Sequence, residues 1–322
     1  MVFAYIRDRL LVGCNRRHVK SALSVQRFPL NPIIRPVMLP ASDGDNINGP
    51  SLVRAPDWLP PLGKYYLYFA HHEGSFIRLA FADRLEGPWT IYEPGTLHLS
   101  QVPSCRGHIA SPDVHIDAAR RQIRMYFHGP TAWGGGQKSF VATSTDGLNF
   151  QPSEEVLGDF YLRMVPLHDQ WIGMAKGGVM YSSHDGLTKF HRLPVSAFPM
   201  KDRLANRPGS VRHVALQLAD PTLFVYFTRI GDAPERILRS RIDLRRPEEN
   251  WTAVRPELVL QPETSWEGAH LPLRPSKAGK SKAAENAVRD PAIFQEEGRL
   301  FLLYSVAGES GIAIAEVVEE AV

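Results

Sequence analysis

Five short stretches of this chain place ionisable side chains at the start of an apolar strand. They are Asn46-Ile47-Asn48-Gly49-Pro50-Ser51, His108-Ile109-Ala110-Ser111-Pro112-Asp113, Asp159-Phe160-Tyr161-Leu162-Arg163, Ser210-Val211-Arg212-His213 and Val288-Arg289-Asp290-Pro291. Between them they offer Asp113, Asp290, His108, His213, Arg163, Arg212, Arg289 and Asn48 to one small space. Carboxylates and imidazoles move protons near neutral pH when their surroundings tune them. Arginines are costly if buried alone, so these three either pair with the carboxylates or bind an anionic ligand. A sixth segment, Ser265-Trp266-Glu267-Gly268-Ala269-His270, adds Glu267 as a third acid and Trp266 as a flat ring suited to stacking. Residues so far apart in the chain can share chemistry only if the fold gathers the strand starts.

The strands behind them recur. Tyr65–Ala70, Ile123–His128, Trp171–Ala175, Leu223–Thr228 and Leu300–Ser305 are apolar and mostly aromatic. Each is followed by a second strand, and two of these run into nearly the same phrase, Ser144-Thr145-Asp146-Gly147-Leu148 and Ser183-His184-Asp185-Gly186-Leu187, with Asp-Gly supplying a positive-φ turn. Recurrence at roughly fifty to eighty residues predicts an all-β chain folded as a five-bladed β-propeller rather than a sandwich. In that architecture the first strand of each blade lines the central channel, and the starts of all five face one pocket.

The remaining features set bounds. Over 322 residues no linker divides the chain, so residues 26–322 are expected to form one propeller domain. Residues 1–25 stand apart as an N-terminal extension, in which Arg7, Arg9, Arg16, Arg17 and Lys20 surround a brief Leu10-Leu11-Val12 stretch. That stretch is too short for a secretory signal, so the extension is expected to be a helix or start-site segment packed on the propeller, and the protein cytoplasmic. Two cysteines, Cys14 and Cys105, exclude a disulfide framework. A net charge of +3 gives no reason to expect nucleic acid, and no apolar run reaches the ~20 residues that span a bilayer. HExxH, paired CxxC and EF-hand spacings are missing, so no cofactor is called for; the one metal reading is a single Ca2+ near His213. His71-His72-Glu73 and His128 follow aromatic strands and are expected at the opposite end from the pocket, or on a connecting loop. The long insertion Gln261–Asn286 is expected to wall the pocket off.

Asn-Gly-Pro-Ser-Leu-Val, Ser-Pro-Asp-Val and Arg-Asp-Pro-Ala-Ile-Phe, each followed by a Tyr-rich strand, resemble motifs of the five-bladed propeller glycosidases of the arabinanase, levansucrase and invertase superfamily. Family 43 type glycoside hydrolases and neoagarobiose hydrolases are the nearest comparison, and the resemblance runs from about Asn31 to Val317. It implies hydrolysis of a small oligosaccharide or chain end in the central pocket. Family 43 enzymes place an Asp before Pro in the first blade as general base, an Asp in an Ala-Pro-Asp-Val-like motif as orienting group, and a Glu in the third blade as general acid. Asp113 matches the second; Gly49 stands where the first would be, and the third blade start carries Arg163 and no Glu. The resemblance therefore implies Asp113 and Asp290 as paired carboxylates, with Glu267 or His213 as the acid, a histidine serving so in the neoagarobiose hydrolases. Asn48, His108, Arg163, Arg212, Arg289 and Trp266 would bind the carbohydrate, and the arginines suit an anionic one. Carboxyl separation would then decide between inversion, at about 6.5–9.5 Å, and retention, at about 5–5.5 Å. Gly49 also admits a propeller that binds carbohydrate without cleaving it, and the arginines admit phosphorolysis with inorganic phosphate.

Overall fold

The structure, a computed structural model, describes residues 22–198 and 207–320. Five antiparallel sheets follow one another along the chain and form the five-bladed propeller that the aromatic repeats predict. Blade one contains β2 (Asn48–Arg54), β3 (Tyr65–Ala70), β4 (Arg78–Ala82) and β5 (Thr90–Tyr92). Blade two contains β6 (Ala110–Asp117), β7 (Gln122–Pro130), β8 (Gln137–Ser144) and the short β9 (Gln151–Pro152) and β10 (Gly158–Asp159). Blade three contains β11 (Arg163–Leu167), β12 (Gln170–Ala175), β13 (Val179–Ser183) and β14 (His191–Ser196). Blade four contains β15 (Val211–Ala219), β16 (Thr222–Arg229), β17 (Ile237–Asp243) and β18 (Glu257–Leu260). Blade five is built from β19 (Arg289–Glu296), β20 (Arg299–Ser305) and β21 (Ile312–Glu320), with β1 (Ala22–Arg27) as its outermost strand.

The ring is thus closed by pairing β1 with β21, Leu23 lying opposite Glu319 and Arg27 opposite Ala315. A boundary after residue 25 falls inside this strand, so residues 22–25 belong to the propeller. The rest of the N-terminal stretch, including the expected helix and Cys14, lies outside the described residues.

Alternation within the aromatic strands explains why they carry no polar stripe. Successive side chains of a strand point to opposite faces, and in a propeller both faces meet a neighbouring blade. Tyr65, Leu67 and Phe69 pack with Phe294, Phe301 and Leu303 of blade five, whereas Tyr66, Tyr68 and Ala70 pack with Val114, Ile123 and Met125 of blade two. Each of the five apolar clusters lies between two adjacent blades. The Asp-Gly phrases join the blades as well. Asp146 Oδ1 accepts the N–H groups of Leu148 and Asn149, and Asp185 Oδ1 those of Leu187 and Thr188, which pins both turns. The Tyr68 hydroxyl of blade one donates to Gly147 O of blade two at 2.8 Å, and Tyr126 of blade two donates to Gly186 O of blade three at 2.7 Å.

The inner strands β2, β6, β15 and β19 each begin with a bulge: Asn48 faces Ala70 but Ser51 faces Tyr68, and the other three shift alike. Left-handed residues mark three of these starts, Gly49 at φ 58°, Ser111 at 54° and Asp290 at 50°, and Tyr161 at 68° precedes β11 in the same way. Three of the four have a Cβ, a strained arrangement kept only where the surroundings over-determine it.

Candidate active site

The inner strands line two cavities, one toward each end. The upper cavity, about 300 Å³, opens where these strands begin and is lined by Asn48, His72, Ser111, His128, Gln137, Phe160, Tyr161, Lys176, Arg212, His213 and the insertion residues Ala278 and Gly279. The lower cavity, about 350 Å³, is lined by residues further along the same strands, including Ser51, Asp113, His115, Arg163, Gln217 and Gln295.

At the upper cavity, Tyr161 donates its hydroxyl hydrogen to Asp290 Oδ1, His213 Nδ1 lies 3.1 Å from the same oxygen, and Ser305 Oγ donates to Oδ2 at 3.1 Å. The Tyr161 and His213 rings stack with centroids 4.6 Å apart. Asp290 itself is 1% exposed, so the two rings stand between it and the cavity. Burial, and then the charge of Glu309, raise its pKa against the opposing pull of the Tyr161 bond, Arg212 and Arg289. Burial and the nearby cations hold His213 well below the usual histidine pKa. It is therefore neutral near pH 7, which removes the imidazolium acid that the resemblance allows. Tyr161 is held well above the usual tyrosine value by burial and Asp290, whereas burial and Arg212 bring the Lys176 ammonium down to about 8.

A buried ionic layer supports this wall. Glu235 Oε2 lies 3.0 Å from Arg212 Nη1 and 2.8 Å from Arg289 Nη2, and all three side chains are essentially fully buried. Glu309 Oε1 lies 3.2 Å from His72 Nδ1 and 3.7 Å from Arg289 Nη1, and Asn46 Nδ2 donates to Oε2 at 2.6 Å. Arg212 and Arg289 thus spend their charge on carboxylates. Arg212 also faces the cavity, and Arg289 stands behind it.

The two carboxylates that the resemblance pairs do not meet. By register, Asp290 matches Gly49 and Ser111, whereas Asp113 matches Ser51 and Ala292, one bulge further along. Asp113 therefore faces the lower cavity. Its Oδ2 accepts the Met164 N–H at 2.8 Å and lies 3.0 Å from His115 Nε2, and Oδ1 lies 3.7 Å from Arg163 Nη1. Ser51 Oγ accepts the Val114 N–H at 2.9 Å in the same way. Both side chains clip one inner strand to the next, so Asp113 is a structural acceptor. Arg163, which donates to Pro112 O and lies under the Tyr161 ring, goes with it to the lower cavity.

Glu267 is a further correction. It is fully buried away from both cavities: Oε1 accepts from Arg27 Nε at 2.8 Å and from the Tyr304 hydroxyl at 2.9 Å, and Oε2 accepts the Glu263 and Thr264 N–H groups. With Thr264 it closes a capping box on the turn Ser265–Glu267. Trp266 packs on the core between blades four and five. Replacing Glu267 by Gln is expected to lower stability by about 1.5–3 kcal/mol, the worth of charge-assisted bonds, without touching ligand binding. Urea unfolding and a binding titration on one preparation check both halves.

His108 reaches the rim, 3.4 Å from Gln137 Oε1, and Asn48 lines the cavity, donating to Asn46 Oδ1 at 3.0 Å. His72, His128, Lys176 and Tyr161 line the cavity without having been site candidates; His72 lies on the connecting turn after β3, and His128 lies in β7 at the pocket end rather than the opposite one. Antiparallel pairing explains them: the end of a second strand returns to the start of the first, as Ala110 opposite His128 shows. That rule, applied to the aromatic strands, was the available signal. Gly49 is closed to substitution, since a Cβ there would sit 2.9 Å from Ser111 Cα at a left-handed φ of 58°. Gly49→Ala is expected to cost about 1–3 kcal/mol, read as a lower urea midpoint. An Asp in the usual first-blade position has no room. Among the described residues no group of three or more His, Cys, Asp or Glu could hold a metal ion, and no helix is long and apolar enough to cross a membrane.

The fold is a five-bladed propeller that solved structures of family 43 glycoside hydrolases share. A putative glycosidase from Bacteroides thetaiotaomicron superposes with a TM-score of 0.63 at 11% identity, covering 91% of this chain and 96% of that one. An exo-1,5-α-L-arabinanase from a bovine ruminal metagenomic library gives 0.57 at 10% identity over 85% and 92% of the two chains. The GH43_1 enzyme from Xanthomonas citri complexed with xylotriose gives 0.57 at 13% identity over 89% of each. At these identities the likeness is one of fold. No family model matches the sequence. The chain is 37% identical over 326 residues to uncharacterized protein R118 of Acanthamoeba polyphaga mimivirus, covering 92% of this chain and 90% of that protein, and it belongs to the same family.

Proposed function

We propose that this protein cleaves a glycosidic bond at the end of a small saccharide held in the upper cavity, using Tyr161 and Asp290 in place of paired carboxylates. The observation that carries this reading is a wall tyrosine whose hydroxyl donates to a buried carboxyl of raised pKa. Tyrosine serves as nucleophile in some glycosidases. As Tyr161 Oη bonds to the anomeric carbon and the glycosidic C–O bond breaks, its proton passes to Asp290, and a raised pKa improves that carboxylate as a base. Lys176, titrating at about 8 on the same wall, is placed to protonate the departing oxygen and then to take a proton from the water that attacks the anomeric carbon, whereupon the C–Oη bond breaks and Asp290 returns its proton to Tyr161. A cavity of about 300 Å³ suits a chain-end sugar rather than the interior of a polymer. Xylotriose in the Xanthomonas citri enzyme supports carbohydrate as the ligand class. Lys176 on the wall, with no carboxylate among the described residues lining the cavity, favours a sugar bearing negative charge.

The test incubates the protein with end-labelled oligosaccharides, neutral and uronate- or sulfate-bearing, and separates the products. Stepwise loss of one terminal sugar supports the reading. Tight binding with no product from any substrate would sink it and favour a propeller that only binds carbohydrate. That second reading is favoured by the closed position at Gly49 and by the lack of any carboxylate among the residues lining the upper cavity.

A further inference from the structure

We propose that the insertion before blade five forms a second subsite, a cationic groove that holds the rest of a substrate chain bearing repeated negative charges. This rests on the chain-end reading of the upper cavity and names its substrate class. Residues 274–282, Arg-Pro-Ser-Lys-Ala-Gly-Lys-Ser-Lys, carry four cations and no acid. Arg274, Lys277, Lys280 and Lys282 are all exposed and all line a groove of about 600 Å³. Lys280 pairs with Glu73 of blade one, and the groove's acid, Glu285, is taken by Arg289 Nη2 at 2.6 Å. No ion pair engages Arg274, Lys277 or Lys282 among the described residues, so three charges remain for a ligand.

The groove continues from the upper cavity. Ala278 lines both, and Gly279 lines the cavity wall. The strap is also held in place by the buried ionic layer rather than left as a loose loop. Arg212 Nη2 donates to Gly279 O, Arg289 Nη1 donates to Ser281 Oγ at 2.8 Å, and the Ser281 N–H reaches Glu309 Oε2 at 3.2 Å. A further pair of bonds joins Ser276 N to Asp232 O at 2.9 Å and Gly231 N to Ser276 O at 3.0 Å. A pinned backbone with unpaired cations loses little freedom when an anionic chain binds, and exposed charges of one sign draw such a chain in.

The test measures fluorescence anisotropy of a labelled heparin hexasaccharide, with neutral xylohexaose as comparison, across a salt series. The triple variant Arg274→Ala, Lys277→Ala, Lys282→Ala is expected to bind heparin hexasaccharide at least tenfold more weakly. Its slope of log affinity against log salt should be shallower by about two, from three fewer released counterions. The control Arg246→Ala, Arg255→Ala, on the outer edge of blade four, should bind as wild type does. Equal binding by the triple variant, or equal affinity for xylohexaose, overturns the proposal. So does a DNA duplex that binds as tightly, since that marks unspecific polyanion attraction. Turnover measured beside binding separates the two readings: hexasaccharide bound by the groove with no turnover by wild type fails the cleavage reading alone. Turnover of a charged chain that the triple variant leaves unchanged fails the groove alone.

Discussion

Tyr161→Phe and Asp290→Asn are each expected to lower turnover by about 10²–10⁴-fold, the usual worth of a positioned proton-transfer group, while Asp113→Asn leaves it within about twofold. Phe keeps the ring that stacks on His213 and removes only the hydroxyl that donates to Asp290. Asn keeps an acceptor for that hydroxyl and removes the base. Asp290 must be ionised to take the proton, and its pKa is raised, so activity should begin to fall, as pH is lowered, above the range of an ordinary aspartate. Asp113→Asn acts instead on stability. Burial opposes ionisation of Asp113, but His115, Arg163 and the Met164 N–H outweigh it and lower its pKa. A lowered native pKa stabilises the fold above the unfolded carboxyl range, and that stability is lost as pH falls through the depressed value. Asp113→Asn should therefore lower the urea midpoint at pH 7 and flatten the acid limb of stability. Initial rates on whichever saccharide wild type cleaves decide the matter: an inactive, folded Asp113→Asn beside an active Asp290→Asn would reverse the assignment.

The largest stability effect is expected at Glu235. Glu235→Gln leaves Arg212 and Arg289 short of their shared carboxylate in a buried layer, which should cost about 3–5 kcal/mol. Pairing it with Arg289→Met should recover part of that loss, because the second change removes one of the stranded charges. Burial screens the cluster from salt, so the loss should persist at high ionic strength, unlike that of an exposed pair such as Arg299 and Glu316. Urea midpoints at low and high salt measure both. A loss below about 1 kcal/mol would mean that water reaches the cluster and that it does not brace the cavity wall.

The propeller was legible because its causes are local and repeated. Tyr65–Ala70 must be apolar at every position when both faces meet a blade, and Ser144-Thr145-Asp146-Gly147 and Ser183-His184-Asp185-Gly186 repeat because each turn receives a tyrosine hydroxyl from the blade before. The strand starts point to the same end of the channel, where Asn48, Arg212 and His213 line the upper cavity and Asp290 lies behind the Tyr161 and His213 rings. Asp113 and Asp290 looked alike because both adjoin a proline, yet the bulge places them at different heights and aims them at different ends of the channel. Glu267 looked available because it sits in a long insertion, but Arg27 of β1 and Tyr304 of β20 claim its Oε1 and the Glu263 and Thr264 N–H groups claim its Oε2.

Residue types and their spacing along the chain determined five blades, their order and the end at which polar groups collect, since strand alternation and turn chemistry act between near neighbours. Only the tertiary structure decided that Tyr161, which sits in the third strand start without an assigned role, touches Asp290, and that Arg212 and Arg289 share Glu235. Those contacts join residues more than twenty, and in one case 129, positions apart. Their geometry depends on bulge register and antiparallel return, which only the closed ring specifies.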